Sequence, residues 1–231
     1  MKYTKLGLWL SVYLIFLVSV ALAAEPSFVE ADNEIARCNE VLKAISTTPD
    51  KRIPRDLLMR ARGLAIFPNV INVGVVFGIE LGKGIILRKD QETSTWSNPA
   101  FFIFRSGSIG FQLGAQSIDL VLLFMDEAGI QRLLEEKLIL GVDASISAGP
   151  LGRETSVDTN VKMKSQILSY SETKGLFAGL SLSGGVIQPD KQTNQAFYGN
   201  DISVQDVLYE NKGTRTENVQ KLLDTITSIY K

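Results

Sequence analysis

The chain has 231 residues, with 24 Lys and Arg against 25 Asp and Glu, no histidine and one cysteine. A formal charge of −1 removes any global electrostatic reason to bind nucleic acid. The missing histidine excludes Ser-His, Cys-His and His-metal sites, and one cysteine cannot staple the fold by an internal disulfide.

Lys2 and Lys5 precede an apolar run from Leu6 to Val20, which ends in Ala21-Leu22-Ala23. This basic, apolar, small-residue order predicts a signal peptide over residues 1–23, cut after Ala23. The alternative is a membrane anchor, for which the run is at the short edge of the roughly 20 residues a spanning helix wants. No cysteine follows the cleavage point closely enough for a lipoprotein signal, since Cys38 lies well beyond it. Removing 23 of 231 residues leaves 208, and losing the two lysines takes the formal charge from −1 to −3. With no Pro/Ser/Gly-rich linker, residues 24–231 are expected to form one domain, exported and periplasmic, peripheral to the inner or outer membrane.

Along the mature chain, Ile35, Cys38, Val41, Leu42 and Ile45 fall at helical spacing and predict an amphipathic helix over Glu30 to Ile45. Cys38 is expected to be a buried small apolar residue of that helix. A second, short helix is predicted from Pro54 through Leu57, Leu58 and Ala61 to Gly63. From Val70 to Leu87 the period becomes two, with Val73, Val75, Phe77, Ile79, Leu81 and Ile85 alternating with Gly74, Gly78, Gly82 and Gly84. So many glycines on one strand face imply a bend, a bulge or the close approach of another backbone. The economy recurs at Gly110 and Gly114, and again at Gly179, Ser181, Ser183 and Gly185. The expected fold is therefore α+β, with a strongly curved or barrel-like antiparallel sheet and peripheral amphipathic helices.

Trp96-Ser97-Asn98-Pro99 predicts a turn before a strand at Ala100 to Phe104, and Ile118 to Met125 another strand. Asp126 is placed to cap a helix carrying Ile130, Leu133 and Leu134. Val142, Ala144, Ile146 and Ala148 alternate as a strand, and Lys162 to Tyr170 resumes extended structure. Val219, Leu222, Leu223, Ile226 and Ile229 mark a closing helix over about 216–230, capped by Thr214 or Thr216.

Catalysis would have to use a Ser-Lys pair or two carboxylates, and no such pair stands out, so no catalytic residue, cofactor or metal ligand is assigned. Gly82-Lys83-Gly84 has neither phosphate-loop spacing and reads as structural. The sharper signal is Lys51, Arg52, Arg55, Arg60 and Arg62, threaded with Leu57, Leu58 and Met59. Basic heads over an apolar face suit an interfacial lipid-binding helix, where guanidinium pairs with phosphate and leucine enters the acyl boundary. The plain alternative is a solvated helix whose leucines join the core. Arg153 and Lys174 sit in turn-like contexts that also suit a phosphate, or a surface salt bridge.

In order, Arg62-Gly63-Leu64-Ala65-Ile66, Gly74-Val75-Val76-Phe77-Gly78, Trp96-Ser97-Asn98-Pro99-Ala100-Phe101 and Gly110-Phe111-Gln112-Leu113-Gly114 resemble the SYLF domain, also called the Ysc84 domain. Gly149-Pro150-Leu151-Gly152-Arg153, Tyr170-Ser171, Lys174-Gly175-Leu176-Phe177-Ala178-Gly179 and Tyr198-Gly199 continue the resemblance, which runs from about Glu34 to Tyr209. It implies a lipid-binding module that recognises phosphoinositide or other anionic phospholipid through an amphipathic helix and nearby basic residues. Arg52, Arg55, Arg60 and Arg62 occupy the corresponding region. No SH3 or FYVE module accompanies the domain, so eukaryotic actin and endocytic roles are not implied. The expected function is non-enzymatic binding of phospholipid or a membrane surface in the cell envelope. The rivals are an envelope protein-interaction module and a histidine-free hydrolase of lipid or peptidoglycan.

Overall fold

The computed structural model describes residues 25–47, 53–74, 77–109, 114–135, 137–150, 165–173 and 182–230. The expected signal peptide, Lys51, Arg52, Arg153 and Lys174 lie outside them.

The architecture is α+β, as expected. Among the described residues eight strands make one sheet curled into a half-barrel, in the order β5-β8-β3-β2-β1-β4-β7-β6. The strands are β1 (Gly63–Gly74), β2 (Phe77–Arg88), β3 (Ala100–Ile109), β4 (Gly114–Phe124), β5 (Leu138–Ile139), β6 (Ile146–Ala148), β7 (Ile167–Thr173) and β8 (Val186–Pro189). Neighbours pair antiparallel except β6 and β7, which are parallel.

Helix α1 (Phe28–Thr47) buries Ile35, Cys38, Val41, Leu42 and Ile45, the stripe its spacing predicts, and Ala31 and Asn39 besides. It begins two residues before the expected Glu30 because Ser27 and Glu30 close a capping box. The Ser27 amide donates to Glu30 Oε2 at 3.0 Å, and the Glu30 amide donates to Ser27 Oγ at 3.2 Å. The Cys38 thiol is buried against the Ile66 carbonyl, and burial pushes its pKa well up.

The glycine-rich alternation has a local cause. Strand β1 bulges between Phe67 and Val70, with Asn69 at φ 51° and its amide donating to Asp119 Oδ1 at 2.9 Å. Gly84 of β2 lies against this bulge, where a Cβ would strike the Ile66 carbonyl and the Phe67 backbone.

The alternation does not put its apolar face inside throughout. Ile71, Ile79 and Leu81 are 49%, 69% and 41% exposed, whereas Glu80, which shares the glycine parity, is 2% exposed. Burial pushes the Glu80 carboxyl above its ordinary value.

The strand expected from Val142 to Ala148 starts only at Ile146. Gly141 at φ 79° opens a turn, and Asp143 Oδ2 holds it by accepting from the Ile139 amide at 2.7 Å. Of the small-residue segment expected as a strand near 178–185, Leu182 to Gly185 form a turn leading into β8.

Helix α2 is Arg55–Arg60, and α3 (Glu127–Glu135) is capped by Asp126. Two helices escaped the sequence reading: α4 (Lys191–Tyr198) and α5 (Val204–Tyr209). Asp190 caps the first and a Ser203/Asp206 capping box starts the second. Helix α6 (Glu217–Tyr230) starts under Thr216, whose hydroxyl accepts from the Val219 amide, and packs against α1.

Trp96-Ser97-Asn98-Pro99 proves to be a buried tie to the C-terminal region. The Asn98 amide group donates to the carbonyls of Asn211, Lys212 and Gly213, its Oδ1 accepts from Arg215, and Tyr198 Oη donates to the Pro99 carbonyl at 2.6 Å. Among the described residues no helix is long and apolar enough to cross a membrane.

Candidate functional site

The described cations of the basic cluster sit at the end of the sheet where β1 begins and β2 ends. Pro54 precedes the first turn of α2, and Leu57 and Leu58 anchor that turn in the core. The leucines are thus unavailable to an acyl boundary, which corrects the picture of an interfacial helix with an apolar leucine face. A helix of 6 residues leaves only Met59 exposed among its apolar residues, at 49%, beside exposed Arg55 and Arg60.

Arg62 is stitched between strands. Its amide donates to the Phe124 carbonyl at 2.7 Å, and its carbonyl accepts from the Lys89 amide at 2.7 Å. These bonds fix the Arg62 backbone beside the mouth of a cleft of about 510 Å³, lined by Met59, Arg60, Arg62, Met125, Asp126, Ser165 and Gln166. Among the described lining residues two arginines stand with one carboxylate, a local excess of positive charge. Gln166 holds the far wall, its carbonyl accepting from the Met125 amide at 2.7 Å.

Lys89 is a neighbouring cation that the sequence reading missed. Its Nζ donates to the Met59 carbonyl at 2.7 Å, and burial, then the nearby Arg62 charge, holds its pKa below the ordinary lysine value. The signal was in the hairpin register: Gly63 pairs with Arg88, which sets Lys89 beside Arg62.

The site can attract and orient an anion. Among the described residues no group of three or more Cys, Asp or Glu side chains is arranged to hold a metal ion.

Comparison with known proteins gives this site its context. Residues 105–229 match the family model Ysc84, described as "Las17-binding protein actin regulator". The chain belongs to the Ysc84 family. It is 31% identical over 186 residues to the SH3 domain-containing YSC84-like protein 1 of Bos taurus, covering 79% of this chain and 54% of that protein. The Xenopus laevis protein of the same name is 30% identical over 208 residues, covering 86% of this chain and 62% of that one. LAS seventeen-binding protein 3 of Saccharomyces cerevisiae is 33% identical over 162 residues, covering 69% of this chain and 35% of the yeast protein. The chain thus spans only part of these relatives, about half of the bovine one. No solved structure matches.

Proposed function

We propose that this Ysc84 domain is a non-catalytic docking module that receives an acidic segment of a protein partner at its basic end. The observation that carries the reading is the convergence of Arg60 and Arg62 on one cleft, with Lys89 behind them and Asp126 as the one carboxylate among the described lining residues. A local excess of positive charge steers and orients an acidic partner even when the whole chain is near neutral. Membership in a family described by its binding of another protein supports a protein ligand over a small substrate.

The test is co-purification from detergent-solubilised cells. One protein retained by the chain after lipid removal, and lost on combined Arg60→Glu and Arg62→Glu substitution, is the expected result. Retention that ignores both substitutions refutes the site.

A second reading, anionic phospholipid at the same cations, is favoured by exposed Met59 beside Arg60. Recovery of phospholipid with no protein, sensitive to the same substitutions, selects it. Arg153, Lys174, Lys51 and Arg52 belong to this second reading as proposals, together with an exported, envelope location.

A further inference from the structure

A second hollow, of about 860 Å³, lies between α1, the start of α6 and the bulge of β1. It shares no described lining residue with the basic cleft. Its wall on the sheet side exists because the bulge takes Pro68 and Asn69 out of the β1–β4 ladder, where Pro68 has no N–H to leave unpaired. Asp119 of β4 pins that wall by accepting from the Asn69 amide at 2.9 Å.

Asn39 stands on the helix side. It is 4% exposed, and its Oδ1 has no hydrogen-bond partner among the described residues. Buried side-chain oxygens are nearly always bonded, so one that lines a hollow marks the place of an absent partner. Asn218 of α6 lines the same hollow. Its Nδ2 donates to Asp32 Oδ2 at 2.7 Å, which leaves Oδ1 as the end of that amide not engaged by Asp32.

The chemistry of the lining narrows the ligand. Arg37, Lys43 and Lys221 each pair with a nearby carboxylate, that of Glu34, Glu40 and Glu217 respectively, so this hollow does not select an anion as the basic cleft does. No aromatic ring stands among the described lining residues to stack on the face of a sugar. The side-chain amides of Asn39 and Asn218 each set a donor beside an acceptor, the same pair that a peptide unit presents. Ala36, Val41, Ala44 and Pro68 add only shallow apolar contact. From Ala36 to Ala44 the helix advances about 12 Å. That length takes about three or four residues of extended chain.

We propose that this hollow binds an uncharged, extended peptide segment with small side chains, its main-chain amides hydrogen-bonded by Asn39 and Asn218. Main-chain bonds hold such a segment, and the shallow apolar contacts limit the size of its side chains. The site is independent of docking at the basic end.

The test selects phage-displayed random heptapeptides of Gly, Ala, Ser, Thr, Pro, Asn and Gln against the full chain. Enriched sequences are then measured as blocked synthetic peptides by titration calorimetry. Asn39→Leu is expected to weaken binding about tenfold without lowering the melting temperature, since the replaced oxygen had no partner to lose. Ala44→Trp, at an exposed position of the lining, fills the hollow and abolishes binding while the fold is kept. N-methylation of a central amide of the peptide has the same effect as Asn39→Leu. Combined Arg60→Glu and Arg62→Glu substitution leaves the affinity unchanged.

A selection that yields no binding peptide overturns the proposal. So does binding that survives both Asn39→Leu and Ala44→Trp, binding indifferent to N-methylation at every position, or loss of binding on substitution of Arg60 and Arg62. N-acetylglucosamine oligomers that bind in an Asn39-dependent way where peptides do not would overturn it in favour of a sugar.

Discussion

A Cβ on Gly84 would fall on the carbonyl oxygen of Ile66, at the place where β1 bulges towards its hairpin partner. The obstacle is backbone, which cannot swing aside as a side chain can. Gly84→Ala is expected to destabilise the fold by about 1–3 kcal/mol, as overpacking does in a filled core. Gly107→Ala, where a Cβ meets nothing within 4 Å, is expected to leave stability within about 0.5 kcal/mol. Urea unfolding of the two variants makes the comparison.

Asn98 binds three carbonyls of the 211–213 loop and the Arg215 guanidinium from a fully buried position. Asn98→Ala strands that set without its donor. A loss of about 1–3 kcal/mol is expected, with the loop exchanging amide hydrogens faster. An unchanged midpoint and unchanged exchange would contradict the tie.

Leu58 and Met59 are adjacent yet face different media, one in the core and one in solvent. Leu58→Ala is expected to cost about 2–5 kcal/mol in thermal or urea unfolding. Met59→Ala is expected to change stability by no more than about 0.5 kcal/mol while weakening whatever occupies the cleft. Equal stability losses would place Met59 in the core as well.

The Glu80 carboxyl is raised by burial, so its protonated form is favoured in the folded state. Its contribution to stability is fully present below the unfolded pKa and is lost as pH rises through the folded one. Glu80→Gln should therefore match the parent near pH 4 and melt higher than it at pH 8. A difference that does not grow between those two pH values rules out titration of this group as its cause.

Much of the fold was legible because long periodic segments carry their own signature. The stripe Ile35, Cys38, Leu42 and Ile45 is the buried face of α1, and the glycines of β2 do mark a bulge. What a two-residue period cannot tell is which face turns inward. Glu80, standing on the glycine parity, was the residue that carried that information. Helices α4 and α5 were missed because 8 and 6 residues are too few for an apolar period, although Asp190 and Ser203 stood as caps. At the site, the arginines were visible as a run. The burial of Leu57 and Leu58 and the arrival of Lys89 depend on contacts between distant parts of the chain.

Photocrosslinking in living cells, with the reactive group at position 60 and a control at 142, tests the docking reading most directly. One discrete protein adduct from position 60, absent at 142 and lost when Arg62 is replaced by Glu, is the predicted result. Lipid adducts alone at position 60, or the same adducts from 60 and 142, would contradict it.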